Sequence, residues 1–211
     1  MPHFDMEFSN PKFTRPELLR HGQIPAPLSG VAPRAIEGQE WWDIVRKQAY
    51  QANNYCCWAC GEKEEGPLEA HEAYDIDYEH GTSTFIEVVA LCSRCHQFIH
   101  IGRATKMLSM REMTKTEYKK IYMHGRKVLK AAGLKIHWGH KVVLQAALVA
   151  GLFSADVEWV NSVVFDGIDS VPTFEQRVEW PHWRMIYKGK KYPPTFRDES
   201  EMRMHYETEE Q

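Results

Sequence analysis

The sequence predicts an α+β protein whose centre is a small module of two strands and a helix, held together by a bound zinc ion. Three observations predict it. The cysteines form two C-x2-C pairs separated by 31 residues. Two runs typical of β-strands lie between the pairs, and a short helical segment begins at the second pair. Helical additions and a β-hairpin are predicted outside the module.

The N-terminal region, residues 1–37, is predicted to be an irregular arm. It contains six prolines, and proline breaks regular hydrogen-bonding patterns because it has no backbone N–H. A helix is predicted over residues 38–54, where apolar residues recur at helical spacing from Trp41 to Ala52. Asn53 is a suitable residue for the end of this helix.

The predicted module spans residues 38–103 and is rich in cysteine and histidine. Strands are predicted over residues 68–73 and 84–91, the second of them rich in Phe, Ile and Val. A short helix is predicted over residues 93–102, ended by Gly102.

A basic helical region is predicted over residues 104–139, with an amphipathic helix over 114–132. Between residues 103 and 141 there are eleven Lys or Arg and two acidic residues, a net charge of +9. The rest of the chain holds 15 basic and 27 acidic residues, a net charge of −12. This asymmetry favours a local contact with a polyanion, although a solvated helix face would have the same composition.

The C-terminal region, residues 140–211, is predicted to add helices. Residues 140–153 are apolar on nearly all sides and indicate a buried helix, since the run is shorter than the ~20 residues a membrane span needs. A second short helix is predicted over 156–165, and the acidic tail after Arg197 is expected to fray.

A β-hairpin is predicted over residues 176–192, with its turn at Lys188-Gly189. Its aromatic and basic side chains would suit stacking on single-stranded nucleotides. Such residues more often form the core and rim of a small sheet, so both interpretations stand.

The four paired cysteines, Cys57, Cys60, Cys92 and Cys95, predict a structural zinc site. Each C-x2-C pair can place two thiolates on one tetrahedral ion, and four thiolates leave no position for water or substrate. The alternative is a set of unrelated buried or redox cysteines. Cys56 could compete through a C-x3-C arrangement with Cys60, but we expect it to be a free thiol.

Three histidines predict a second metal site. His96 and His100 are four residues apart, so on a helix both imidazoles lie on one face. His71 lies in the first predicted strand. Three neutral imidazoles leave open positions on a divalent ion, which suits catalysis rather than structure.

Together these motifs resemble the HNH endonuclease family, over about a third of the chain. The matching stretches are Cys57-x2-Cys60, Leu68-Glu-Ala-His71 and Leu91-Cys-x2-Cys95-His96-x3-His100, with a preceding helix that contains Trp41, Trp42, Arg46 and Ala49. The resemblance implies a ββα-metal fold with a four-cysteine structural zinc. It also implies that His71, His96 and His100 hold a catalytic Mg²⁺, Mn²⁺ or similar ion on the scissile phosphate.

Two positions depart from the family pattern. Glu72 stands where the family usually has its general-base histidine, and Glu87 stands where it has the asparagine. Residues 71–77 also resemble a less familiar bacterial branch with His-Glu, an aromatic residue and then acids.

Three roles are open for Glu72, namely general base, fourth metal ligand or surface carboxylate at a silent site. If Glu72 is a ligand, the base would be Asp75, Asp77 or His80. Adjacent residues on a regular strand face opposite sides, so Glu69 is a further candidate for the histidine site.

The resemblance implies a metal-dependent endonuclease that hydrolyses phosphodiester bonds in DNA. The expected partner is DNA, with RNA as the alternative. The predicted phosphate contacts are Arg103, Lys115, Lys119, Arg126, Lys127 and Lys130. The rival hypotheses are a catalytically silent nucleic-acid-binding module and a protein-interaction module that docks through residues 133–211. The N-terminal residues carry acids and no apolar signal segment, so we expect the cytoplasm of a bacterial or phage-infected cell and no membrane contact.

Overall fold

A computed structural model describes residues 10–22, 24–63, 66–135 and 178–209. Within these residues the chain has five α-helices and one four-stranded sheet. The predicted α+β class is confirmed. The helices predicted over 140–153 and 156–165 lie outside the described residues.

The first helix, α1, spans Pro33–Ala52 and begins five residues earlier than predicted. Pro33 occupies its first turn, where the missing N–H costs nothing. Gly38 interrupts the helical geometry with φ 84°, which explains why the regular apolar spacing starts only after it. The helix ends before Asn53, as predicted.

Four strands form one sheet in the order β1-β2-β3-β4. They are β1 (Glu69–Asp77), β2 (Thr82–Leu91), β3 (Arg184–Tyr187) and β4 (Lys190–Tyr192). The β1–β2 and β3–β4 pairs are antiparallel, whereas β3 lies parallel to β2. The predicted hairpin turn is confirmed, because Lys188 (φ 50°) and Gly189 (φ 73°) both have the positive φ that a tight two-residue hairpin loop favours.

Three helices follow β2, namely α2 (Ser93–Ile99), α3 (Ile101–Ser109) and α4 (Lys115–Ala131). The prediction that Gly102 ends the first of these is wrong. The chain leaves helical geometry at His100 (φ −94°, ψ 41°), and Gly102 lies inside α3. The basic helix α4 begins with a capping box between Thr114 and Glu117, which satisfies two otherwise free N–H groups.

The acidic tail forms a fifth helix, α5 (Glu199–Glu209), so the prediction that it frays is wrong. Asp198 accepts a hydrogen bond from the backbone N–H of Glu201 and thereby caps the helix. Arg203 is paired with Glu199 one turn away. Local capping and pairing therefore outweigh the acidic composition.

The main core lies between α1, the β1–β2 hairpin and helices α2 to α4. The N-terminal segment was predicted to be irregular, but it contains 3-10 helices at Pro16–Arg20 and Ala26–Leu28. Leu18 and Leu19 are buried in the main core, and Leu28 is buried in a second cluster beside β3.

Asn53 fastens this N-terminal segment to the first cysteine pair. Its side-chain oxygen accepts from the backbone N–H groups of Lys12 and Phe13.

No helix among the described residues is long and apolar enough to cross a membrane.

Candidate metal centres

The four paired cysteines come together at one point. Their sulfur atoms all lie within 4.8 Å of one another, so they could hold a metal ion such as zinc. Three of the side chains are buried and that of Cys60 is partly exposed. The first pair is fixed by Trp58, whose backbone N–H donates to the carbonyl of Ala90 on β2 at 2.8 Å. The second pair begins α2, where Cys92 is the N-cap.

The thiols alone cannot all ionise at this spacing. Hydrogen bonds from Cys60, Cys92 and Cys95 stabilise one thiolate and lower the pKa of Cys57. The Cys57 sulfur in turn raises the pKa of Cys92 and that of Cys95. A divalent cation would remove this conflict, because it binds thiolates in preference to protons at a four-sulfur site. The donor set therefore fits zinc.

Cys56 does not join the cluster. Its sulfur lies 3.7 Å from the backbone carbonyl of Asn54, and the side chain is buried. The structure thus groups Cys57, rather than Cys56, with the other three cysteines. Sequence reasoning missed His124 on α4, whose Nε2 lies 3.3 Å from the Cys95 sulfur.

The three predicted histidines also converge. Ring nitrogens of His71 on β1, His96 on α2 and His100 at the end of α2 lie within 4.8 Å of one another. His100 Nε2 lies 3.2 Å from His71 Nδ1. His71 Nε2 is buried and has no hydrogen-bond partner among the described residues. His71 therefore packs against the rings of His96 and His100 and keeps one buried nitrogen without a described partner, an arrangement that fits a cation site.

Burial keeps His71 and His100 neutral at neutral pH. Desolvation lowers the pKa of His71 to about 2 and that of His100 to about 4. Neutral imidazoles have a lone pair to offer to a metal.

Glu69 is hydrogen-bonded to one histidine of the cluster. Its carboxylate lies 2.6 Å from His96 Nδ1, and this contact is the main reason that the pKa of Glu69 is lowered. A carboxylate at one ring nitrogen fixes the tautomer and leaves the other nitrogen free for a ligand. The backup candidate Glu69 thus lies at the site.

The structure does not bring Glu72 to the histidines, and this corrects its placement as a catalytic residue. It lies next to His71 on β1 and therefore on the opposite face of the strand. Its carboxylate accepts from the backbone N–H of Arg34 on α1 at 3.1 Å and from the Tyr74 hydroxyl at 3.0 Å. Burial raises the pKa of Glu72.

The other candidates for the general base, Asp75, Asp77 and His80, are not part of the histidine cluster either. Asp77 is paired with His80 in the exposed β1–β2 turn, with 2.7 Å between Oδ2 and Nδ1. Asp75 lines a cleft of about 310 Å³ beside the N-terminal segment. Glu87, at the family's asparagine position, forms an ion pair with Arg15 at 2.5 Å.

A fourth histidine, His21, borders the cluster from the N-terminal segment. Its ring packs edge-on against His71 with 5.0 Å between centroids. Its Nε2 accepts from the backbone N–H of Tyr74 at 2.8 Å. No motif marks His21, because a fold contact across 50 residues leaves no local sequence pattern.

The predicted basic residues lie on or near α3 and α4. Arg103 is exposed and close enough to influence the charges of His100 and Glu69. The predicted lysines of α4 are all exposed, and Arg126 lies over the Tyr122 ring at 5.7 Å. They are Lys115, Lys119, Lys127 and Lys130, and a fifth lysine of α4, Lys120, is exposed as well.

Fold and site thus define an α+β protein with a four-cysteine cluster that could hold a metal such as zinc. Comparison of the chain with protein-family models, curated proteins and solved structures found no match.

Proposed function

We propose that this chain is a metal-dependent endonuclease of the HNH type that cleaves phosphodiester bonds in DNA. One observation carries the proposal, the convergence of His71, His96 and His100 on one point with Glu69 behind His96. The hairpin β1–β2 followed by α2 supports a ββα-metal module. The adjoining four-cysteine cluster supports a structural zinc that holds α2 against the hairpin.

The proposed chemistry follows from what these side chains can do. The three imidazoles would hold Mg²⁺, Mn²⁺ or a similar ion, which would polarise the scissile phosphate and lower the pKa of a bound water. Glu69 orients His96, and Arg103 adds positive charge beside the site. A cation at this position and a guanidinium together favour the charge that develops on the phosphate.

DNA would lie across the basic face of the protein, which is formed by Arg103 and the exposed lysines of α4. The exposed lysines of α4 and Arg103 are suited to contacts with backbone phosphates, which position a duplex without reading its sequence. The proposed partner is therefore nucleic acid bound mainly by charge.

The test is cleavage of supercoiled plasmid by wild type and His96→Ala in Mg²⁺, Mn²⁺ or EDTA. We expect metal-dependent nicking that His96→Ala abolishes. His182→Ala is the matched control, because His182 is an exposed histidine in the 3-10 helix Trp180–His182 and lies outside the cluster. Circular dichroism and metal content establish that all variants are folded.

A second candidate function is a catalytically silent module that binds nucleic acid. The position of Glu72 favours it, since the carboxylate that replaces the family's base faces away from the histidines. A folded wild type that binds DNA or RNA but cleaves neither with any of these ions would establish this second function and exclude the first.

A further inference from the structure

His124 is a buried polar side chain that lies against the cysteine cluster. It lies on α4, 29 residues from Cys95 in sequence, and is 9% exposed. Its Nε2 is 3.3 Å from the Cys95 sulfur, a distance at which a ring N–H donates to sulfur. Packing of α4 against α2 brings the two residues together, with Gly125 against the Phe98 ring.

A zinc ion with four thiolates would carry two net negative charges. Cys57, Cys92 and Cys95 are fully buried, so this charge must be offset by hydrogen-bond donors rather than by water. The backbone N–H of Cys95 donates to the Cys92 sulfur at 3.4 Å. His124 offers the corresponding side-chain donor to Cys95.

We infer that His124 is a positioning residue of the zinc centre that donates Nε2–H to the Cys95 thiolate and fastens α4 to it. This inference rests on the proposed zinc at the four cysteines and is independent of nuclease activity. A donor at the sulfur offsets part of the charge of the thiolate and fixes its position toward the ion, so we expect it to slow the loss of zinc.

The same nitrogen could instead bind a metal directly, since Cys60, Glu62 and His124 also have ligand atoms within 4.8 Å of one another. Four sulfurs already complete a tetrahedral zinc site, however, and Cys60 belongs to both groups. Glu62 is also hydrogen-bonded to Arg94 at 2.9 Å. The geometry therefore favours His124 as a donor to sulfur over His124 as a ligand.

The consequence is a physical link between the zinc centre and the basic face. The helix that carries His124 on its buried side also carries Lys119, Lys127 and Lys130 on its exposed side. Loss of zinc would therefore weaken one of the contacts that hold α4 against α2.

The experiment compares the full-length wild type with His124→Phe and His124→Gln. Phe keeps the buried ring but has no N–H, whereas Gln restores a donor. Val128→Ala, a partly buried α4 residue, controls for weakened helix packing. Each protein is measured for zinc content, for the rate of zinc transfer to a chromogenic chelator, and for the sulfur-to-cobalt absorption band after Co²⁺ substitution.

We expect about one zinc per wild-type chain and release from His124→Phe faster by about 10- to 100-fold. The cobalt band of His124→Phe should shift while keeping the intensity of four sulfur ligands. His124→Gln should recover part of both effects, and Val128→Ala should leave the band unchanged.

Three results would overturn the inference. Unchanged release and an unchanged band in His124→Phe would show that the hydrogen bond is without effect. A wild-type spectrum of three sulfurs and one nitrogen would make His124 a ligand. A folded wild type without metal would remove the proposed zinc centre as well. Absence of DNA cleavage with zinc intact would count against the proposed nuclease only.

Discussion

Glu69 and Glu72 lie three residues apart on β1, and their side chains project from opposite faces of the strand. Glu69 contacts His96 Nδ1, whereas Glu72 contacts Arg34 and Tyr74. The proposed ion site therefore depends on Glu69 for the orientation of His96. Glu72 instead connects β1 to the start of α1.

We predict that Glu69→Gln lowers metal-dependent plasmid cleavage by about 10- to 100-fold, a typical effect for a group that orients a metal-ligating histidine. The amide keeps the size of the side chain but has no negative charge to hold the His96 N–H. Single-turnover nicking at increasing Mn²⁺ concentration measures this, and the loss should shrink when Mn²⁺ is in excess.

Glu79→Gln is the matched control, because Glu79 is an exposed acid in the β1–β2 turn. Glu72→Gln provides the decisive comparison. A loss of cleavage with Glu72→Gln and none with Glu69→Gln would mean that Glu72 reaches the reacting phosphate, against the geometry described above.

Residue-level prediction succeeded where a local spacing encodes the chemistry. The C-x2-C pairs and the HxxxH pair contribute six residues, and these lie with His71 in two groups whose ligand atoms are within 4.8 Å of one another. His21, His124 and the contact of Glu72 with Arg34 were missed, because each contact joins segments far apart in sequence. Only the packing of the N-terminal segment, α1 and α4 creates those contacts.

At the scale of elements, the contact between α2 and α4 depends on a glycine. A Cβ at Gly125 would lie 2.2 Å from the Phe98 ring, and Phe98 is fully buried. Neither the ring nor the helix backbone can move aside without disturbing the core. This close approach also keeps His124 near Cys95.

We predict that Gly125→Ala destabilises the protein by about 3 kcal/mol, the upper range for overpacking a tight core. Gly102→Ala is the matched control, since Gly102 lies inside α3 with nothing within 4 Å of a Cβ. The control should stabilise by about 0.5–1 kcal/mol, because alanine loses less backbone entropy in a helix. Urea unfolding followed by circular dichroism measures both, and a stable Gly125→Ala would contradict the described packing.

Element prediction followed the same division between local and distant causes. The amphipathic spacing of α4 and the turn at Lys188-Gly189 are local signals and were found. The separation of α2 from α3 at His100 was missed, because Gly102 is a stronger local stop signal than histidine. The parallel pairing of β3 with β2 was also missed, since it joins strands more than 90 residues apart.

At the scale of the whole molecule, charge is divided unevenly. The segment 103–141 carries +9 while the remainder carries −12. The lysines of α4 lie on its exposed side. Arg103 is also exposed, and it lies close enough to His100 to influence the charge of that histidine. A polyanion would therefore be attracted to one side of the protein and repelled elsewhere, which sets its orientation before any close contact forms.

We predict that DNA binding weakens steeply with salt and that Lys127→Ala/Lys130→Ala reduces the slope of log K against log salt by roughly 2, about one for each lost phosphate contact. The control, Lys190→Ala/Lys191→Ala, removes the same charge from exposed β4 lysines and should leave the slope nearly unchanged. Fluorescence anisotropy on a labelled duplex, in the His96→Ala background with EDTA, measures binding without cleavage. Equal effects of the two pairs would mean that only net charge matters, and no effect of either would place the duplex away from α4.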